Sequence, residues 1–260
     1  MGFLAQRARD WVGLLKVARR HPENLGGYAS GLIAEQLLRA LCLPNRVFVD
    51  VGAHIGSVTD AVARHSRPSR IIAIEAIPAK AESLRRRFPT ATIHQCAVGD
   101  EGGIDVPFFV DRTRPGYSSL YAIKDSEEVE EIQVPLRRLD DLIGDEAVDL
   151  LKIDVEGAEL AALRGAAALV ARARPTIVFE SGPGQDRPVM DAMWDWLDGA
   201  GYAVLVPERV AHRDPGLSRD GFAEAHLYPS RTINYFAVAR SRRDDVRARA
   251  RAILGLHVDP

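Results

Sequence analysis

A chain of 260 residues, 47% hydrophobic and 27% charged, is long enough to bury one substantial core and falls within the range of a single large α/β domain. A formal net charge of −2 gives no reason to expect nucleic acid or a membrane surface as partner. Cys42 and Cys96 lack metal-ligand spacing, no apolar run approaches the ~20 residues of a membrane span, and the first residues lack a signal peptide's apolar core, so a reduced, cytoplasmic protein is expected.

In chain order, Met1 to Leu43 predicts two helices, broken at His21-Pro22 and at Gly26-Gly27, with Leu32, Ile33, Leu37, Leu38 and Leu41 at helical spacing. This segment, 1–44, could cap a ligand or contact a second copy in a homodimer; packing of its leucines against the core is the simpler account. Arg46 to Gly52, Arg70 to Ala76, Thr92 to Val98, Val148 to Asp154 and Pro175 to Glu180 are short β-branched, apolar runs, the pattern of strands buried on both faces. Helical patterns follow at Gly56–His65, Pro78–Phe88 and Glu159–Ala171, and another carries Met190, Met193, Trp194 and Leu197. Gly103 to Leu136 reads as two alternating strands around a long polar loop, Asp111 to Glu131. Tyr202–Pro207 and Ile233–Ala239 are the last strands, and residues 241–260 form an arginine-rich tail with a solvated face. Alternating strands and helices predict a Rossmann-like, mostly parallel sheet over residues 45–240, covered by helices on both faces, with ligands outside the carboxyl ends of the strands.

Those strand ends hold the informative residues. The first is Asp50-Val51-Gly52-Ala53-His54-Ile55-Gly56. Its glycines allow a tight turn and a close helix approach, but the spacing is not the G-x-G-x-x-G of a dinucleotide site. An acid in the turn disfavours a pyrophosphate, so Asp50 is expected to face a cofactor with a cationic end. Glu75, with Ala76 after it, ends the second strand about 20 residues on, where an acid takes ribose hydroxyls. Ala97-Val98-Gly99 is small enough for a flat base. Together these ends suggest a nucleoside with a positive tail, S-adenosylmethionine.

The later ends are acidic. Leu151-Lys152-Ile153-Asp154-Val155-Glu156-Gly157-Ala158-Glu159 leaves Asp154 and Glu156 two residues apart, on one face if the chain stays extended. Glu180 ends the neighbouring strand, with Ser181-Gly182-Pro183-Gly184 as a loop behind it. Two carboxylates that close need a cation or a shared proton between them. Asp154, Glu156 and Glu180 together form a hard oxygen set suited to Mg²⁺ or another divalent cation, and one of the first two could serve as general base. His226 is a rival base, a lone histidine with no visible partner. Ser118 and Ser119 could hydrogen-bond a cofactor or an acceptor. Glu159 reads as an acid favoured by a helix start.

As an ordered set, these stretches resemble the FkbM-type S-adenosylmethionine-dependent methyltransferases. The resemblance rests on Phe48–Gly56, Ile74–Pro78, Ala97–Gly99, Ser118–Leu120, Leu139–Asp141, Leu151–Glu159, Arg164–Ala166 and Arg174–Glu180, and covers about half the chain. It implies a class I methyltransferase sheet of seven strands with the last antiparallel. It also implies O-methylation of a sugar, glycan or specialised metabolite, with cofactor contacts from Asp50, Gly52, Ala53, His54, Gly56, Glu75, Ala76, Ala97, Val98, Ser119 and Asp154. The chain departs from the family at His54, commonly Asn, and at Ala76, commonly Pro. An NAD-dependent oxidoreductase on a doubly wound sheet is the rival enzyme, disfavoured by the missing glycine fingerprint. A non-catalytic binding protein on a methyltransferase fold would tolerate loss of the acids that this chain keeps.

Overall fold

The β-branched runs become the middle of one sheet because every residue in two of them is covered on both sides. Val47–Val51 (β1) and Val148–Ile153 are buried throughout. The computed structural model describes residues 3–114, 118–121, 128–182 and 185–256. After β1 come Arg70–Glu75 (β2), Thr92–Gln95 (β3), Ala97–Val98 (β4), Ile104–Asp111 (β5) and Val129–Arg137 (β6). Val148–Ile153 is β7, followed by Thr176–Glu180 (β8), Tyr202–Leu205 (β9) and Asn234–Ala239 (β10). Seven of these strands form a sheet in the order β3-β2-β1-β7-β8-β10-β9. All its pairings are parallel except those of β10, which runs antiparallel to both β8 and β9. The fold is therefore the Rossmann-like methyltransferase sheet expected from the sequence. Its winding reverses between β1 and β7, where such sheets open a crevice.

The helices are Phe3–Arg20 (α1), Leu25–Ala40 (α2), Ser57–His65 (α3), Pro78–Arg87 (α4), Leu139–Ile143 (α5), Glu159–Arg164 (α6) and Ala167–Ala173 (α7). Arg187–Gly199 (α8), Arg219–Glu224 (α9) and Arg243–Leu254 (α10) complete them. Strand residues alternate between two cores, as a period of two requires. Val49, Val51, Leu151 and Ile153 pack with Leu169 of α7 and Met193 and Leu197 of α8. Phe48, Leu150, Val178 and Phe236 pack on the other face with Leu37 and Leu38 of α2 and Val246 and Ala250 of α10. Helices at both ends of the chain thus share the central core. The C-terminal arginines are not simply solvated, since Arg249 Nη1 of α10 lies 2.9 Å from the buried Asp149 and Arg242, just before α10, pairs with the same carboxylate.

Several boundaries differ from the sequence reading. Gly26 and Gly27 do not break a helix; they lie in the first turn of α2, after a short 3₁₀ turn at Pro22–Asn24. The run Thr92–Val98 is split at Cys96, so β3 joins the main sheet while β4 pairs with β6 in a second, three-stranded sheet, β4-β6-β5. The helix after β7 is broken between α6 and α7, where Gly165 lies against Gly99. A Cβ at Gly165 would stand 1.9 Å from the Gly99 carbonyl oxygen. Parts of the expected polar loop (115–117, 122–127) and Pro183-Gly184 of the loop after Glu180 lie outside the described residues.

Candidate active site

A cavity of about 370 Å³ opens at the carboxyl ends of β1, β2, β7 and β8, in the size range of small-molecule sites. One part is walled by Ile74, Ala76, Ile77, Ala97, Val98 and Phe108, with Glu75 and Lys80 as its polar groups. The other is lined by Lys152, Asp154, Glu156 and Glu180; Ser118 and Leu120 also line the cavity, Leu120 packing against the Ala76, Ala97 and Phe108 cluster.

The first loop is shaped by its backbone. Gly52 has φ +74°, and a Cβ there would stand 1.8 Å from the Asp154 carbonyl oxygen, so the tips of β1 and β7 touch through a position that only glycine can fill. His54 also lies in the left-handed region, φ +50°, where Asn and His are among the more tolerated residues. That conformation explains how histidine can stand where asparagine is common. Glu75 holds the loop: its Oε2 accepts the His54 amide at 2.8 Å and its Oε1 the Ile77 amide at 2.9 Å. Each oxygen keeps a lone pair for a hydroxyl donor. His54 Nε2 is buried, lacks a hydrogen-bond partner, and belongs to a residue that lines the cavity. Burial, and then the charge of Lys80, lowers its pKa, so the ring is neutral.

Asp50 is not where the sequence reading puts it. Its side chain is fully buried and absent from the cavity wall, accepting Thr59 Oγ1 at 2.7 Å. The register sets Asp50 beside Lys152, whose Nζ lies 3.3 Å from Asp50 Oδ1, 3.1 Å from Asp154 Oδ2 and 3.0 Å from the Gly52 carbonyl. The Asp50 oxygen makes no well-directed hydrogen bond, but at this separation the ion pair supplies its compensation. Burial alone would lower the Lys152 pKa; Asp50 and then Asp154 outweigh it and hold the pKa above its ordinary value. Lys152 is the functional group that the sequence reading missed. A lysine three residues after Asp149 in a fully buried strand was the available signal.

Asp154 and Glu156 do share a site, by a different route. β7 ends at Ile153, and the chain then turns, with Glu156 at φ +46° and Gly157 at φ +95°. Glu159 clamps that turn, its carboxylate accepting the Gly157 amide at 3.1 Å and the Val155 amide at 3.2 Å. Ser119 fastens it from the other side by donating to the Glu156 carbonyl at 2.7 Å. Ser119 thus supports the turn, and its neighbour Ser118 lines the cavity. Burial, followed by the charges of Asp154 and Glu159, pushes Glu156 up to about 7. Burial also raises Glu180, reinforced by the charge of Asp154 and a hydrogen bond shared with it.

Two expectations change. Among the described residues no group of three His, Cys, Asp or Glu side chains is placed to hold a metal ion, so Asp154, Glu156 and Glu180 do not form the expected ligand set. Lys152 and a shared proton offset part of the acids' charge. His226 is not aimed at the cavity. It is buried among Phe222 and Tyr235, with Nε2 2.7 Å from Ser181 Oγ and Nδ1 2.8 Å from the Phe222 carbonyl. Both ring nitrogens have partners and His226 is not part of the cavity wall, so it sits apart from the acids.

The family model for the Methyltransferase FkbM domain matches residues 50–204, more than half of the chain. The chain belongs to the FkbM methyltransferase family. The match spans every strand end that builds the cavity of this FkbM chain. It is similar to Methyltransferase 1 of Beauveria bassiana (strain ARSEF 2860), 33% identical over 143 residues, covering 45% of this chain and 57% of that protein. The match therefore spans little more than half the length of that relative. Among solved structures it is similar to a Methyltransferase FkbM from Methylobacillus flagellatus KT, at 20% identity and a TM-score of 0.47, covering 75% of this chain and 44% of that one. It is also similar to a TehB-like SAM-dependent methyltransferase from Corynebacterium glutamicum, at 12% identity and a TM-score of 0.39, covering 79% and 85% of the two chains.

Proposed function

We propose that this FkbM-family protein is an S-adenosylmethionine-dependent O-methyltransferase acting on a hydroxyl of a sugar, glycan or specialised metabolite. One observation carries the reading: a single cavity joins an apolar, acid-tipped nucleoside slot to a cluster of carboxylates with too little positive charge to neutralise it. Residual negative charge beside a slot of that kind favours a ligand with a cationic end. When bound, S-adenosylmethionine supplies an electrophilic methyl group on a sulfonium.

The residues that would hold it are present. Glu75 offers two acceptor oxygens, Ile77, Ala97 and Val98 offer flat apolar walls, and His54, with its buried Nε2 unpartnered, belongs to the cavity wall. Asp154 and Glu156 would flank the acceptor side. A hydroxyl is a weak nucleophile at neutral pH and needs a group that takes its proton near that pH. Glu156, held at about 7, has the matching proton affinity, and Glu180 with Asp154 can store the proton afterwards. The closed turn over Gly157 and the Ser118–Leu120 segment would exclude water from the transfer. Calorimetric titration with S-adenosylhomocysteine and with NAD tests the reading. Binding of the first and not the second is expected; tight NAD binding without the homocysteine product would overturn it.

A further inference from the structure

Outside the cavity, α1 carries a run of exposed large apolar side chains. Gly13 marks the helix's inner face, because a Cβ there would stand 1.9 Å from Tyr28 Oη of α2. Trp11 and Leu15 lie two residues to either side, about 200° around a helix of 3.6 residues per turn, and so on the opposite face. They are 65% and 66% exposed, and Val12 beside them is 51% exposed. Lys16 and Arg19, both exposed, flank this stripe, and over residues 9–20 four basic side chains face one acid, in a chain whose net charge is −2.

The helix also has a definite place. The N-terminal half of α2, which follows α1, sits at the carboxyl edge of the sheet: Ser30 donates to Glu208 just beyond β9 at 2.9 Å, and Gly27 abuts the Ser230 carbonyl just before β10. That is the edge on which the cavity opens.

We propose that α1 docks this protein on an anionic lipid surface, with Trp11, Val12 and Leu15 at the acyl boundary and Lys16 and Arg19 against headgroup phosphates. No helix among the described residues is long and apolar enough to span a bilayer, so the attachment is peripheral. An outward apolar stripe with an aromatic anchor and a basic flank is the pattern of an interfacial helix. A self-association face would have no need of positive charge; identical basic flanks on two copies repel. The inference does not depend on the methyl-transfer reading.

The full chain is tested by flotation with phosphatidylcholine vesicles, with and without phosphatidylglycerol. It should float with the anionic vesicles alone and be released by salt. The pair Lys16→Glu and Arg19→Glu should weaken binding by roughly fivefold for each charge removed. The pair Trp11→Ser and Leu15→Ser should abolish flotation while S-adenosylhomocysteine binding persists, which separates this outcome from failure of the active-site reading. Absence of flotation at low salt overturns the proposal. So does equal binding to neutral vesicles, or a wild-type dimer in light scattering that the Trp11/Leu15 pair converts to monomer without any vesicle binding.

Discussion

Replacing Lys152 with methionine tests whether one buried cation holds the two central strand tips together. The substitution keeps most of the side-chain volume and removes the ammonium that lies 3.3 Å from Asp50 and 3.1 Å from Asp154. Asp154 is 32% exposed and can recover solvent, but Asp50 is fully buried and would keep only the Thr59 hydroxyl. Removing one partner of a buried pair costs about 3–5 kcal/mol. In a chain of this size that lowers the melting temperature by roughly 10 °C. Thermal melts of the wild type, Lys152→Met, Asp50→Asn and the double variant close a cycle. The double variant, with neither charge left, should recover most of the loss, giving a coupling of about 2 kcal/mol or more. If Lys152→Met melts within about 2 °C of the wild type, the lysine is not the compensating charge argued above.

Glu156→Gln should leave S-adenosylhomocysteine binding nearly intact and cut turnover about 10²–10⁴-fold; unchanged turnover would move the base elsewhere. Turnover should rise with pH through about 7 as Glu156 ionises, while stability moves the other way. The folded carboxyl keeps its proton from the unfolded value of about 4.3 up to about 7, so stability falls as pH rises across that window, and the Glu156→Gln variant should show a shallower decline in melts taken at both ends. Gly52→Ala, at φ +74° with its Cβ driven into the Asp154 carbonyl, should lose about 2–4 kcal/mol in a denaturant titration. His226→Phe should lose about 1–3 kcal/mol from its two broken hydrogen bonds and leave the pH–rate profile unmoved; a shifted limb would return His226 to the chemistry.

The strand ends were readable from the sequence because they depend on local signals. β-branched runs closed by Gly52, Glu75 and Gly157 announce buried strands with turns behind them. What escaped depends on contacts between distant segments. Asp50 reads as a loop carboxylate until the β1–β7 register sets Lys152 beside it, 102 positions along the chain. Pleat geometry suggested that Asp154 and Glu156 share a face, whereas a left-handed residue at Glu156 brings them to one cavity after the strand has ended. The expected metal set finds no three-ligand group among the described residues for a related reason. Three acids at adjacent tips look uncompensated in a sequence that shows neither the ammonium beneath them nor the proton shared between two of them. His226 was ambiguous because a lone histidine carries no sign of its partners, here Ser181 and a backbone carbonyl.

Lys152 reaches the Gly52 carbonyl after β1 and the Asp154 carboxylate after β7, the proposed cofactor and acceptor sides, with the same ammonium. The two halves of the site are therefore not separable modules. A change that retunes the acids at the end of β7 also alters the pull on Gly52, and with it the shape of the nucleoside slot. Variation toward new acceptors is better accommodated away from that ammonium, at Ser118 and Leu120, where a lining side chain can change without redistributing the charge around Lys152. The lysine divides the site into a part that resists divergence and a part that is free to follow the substrate.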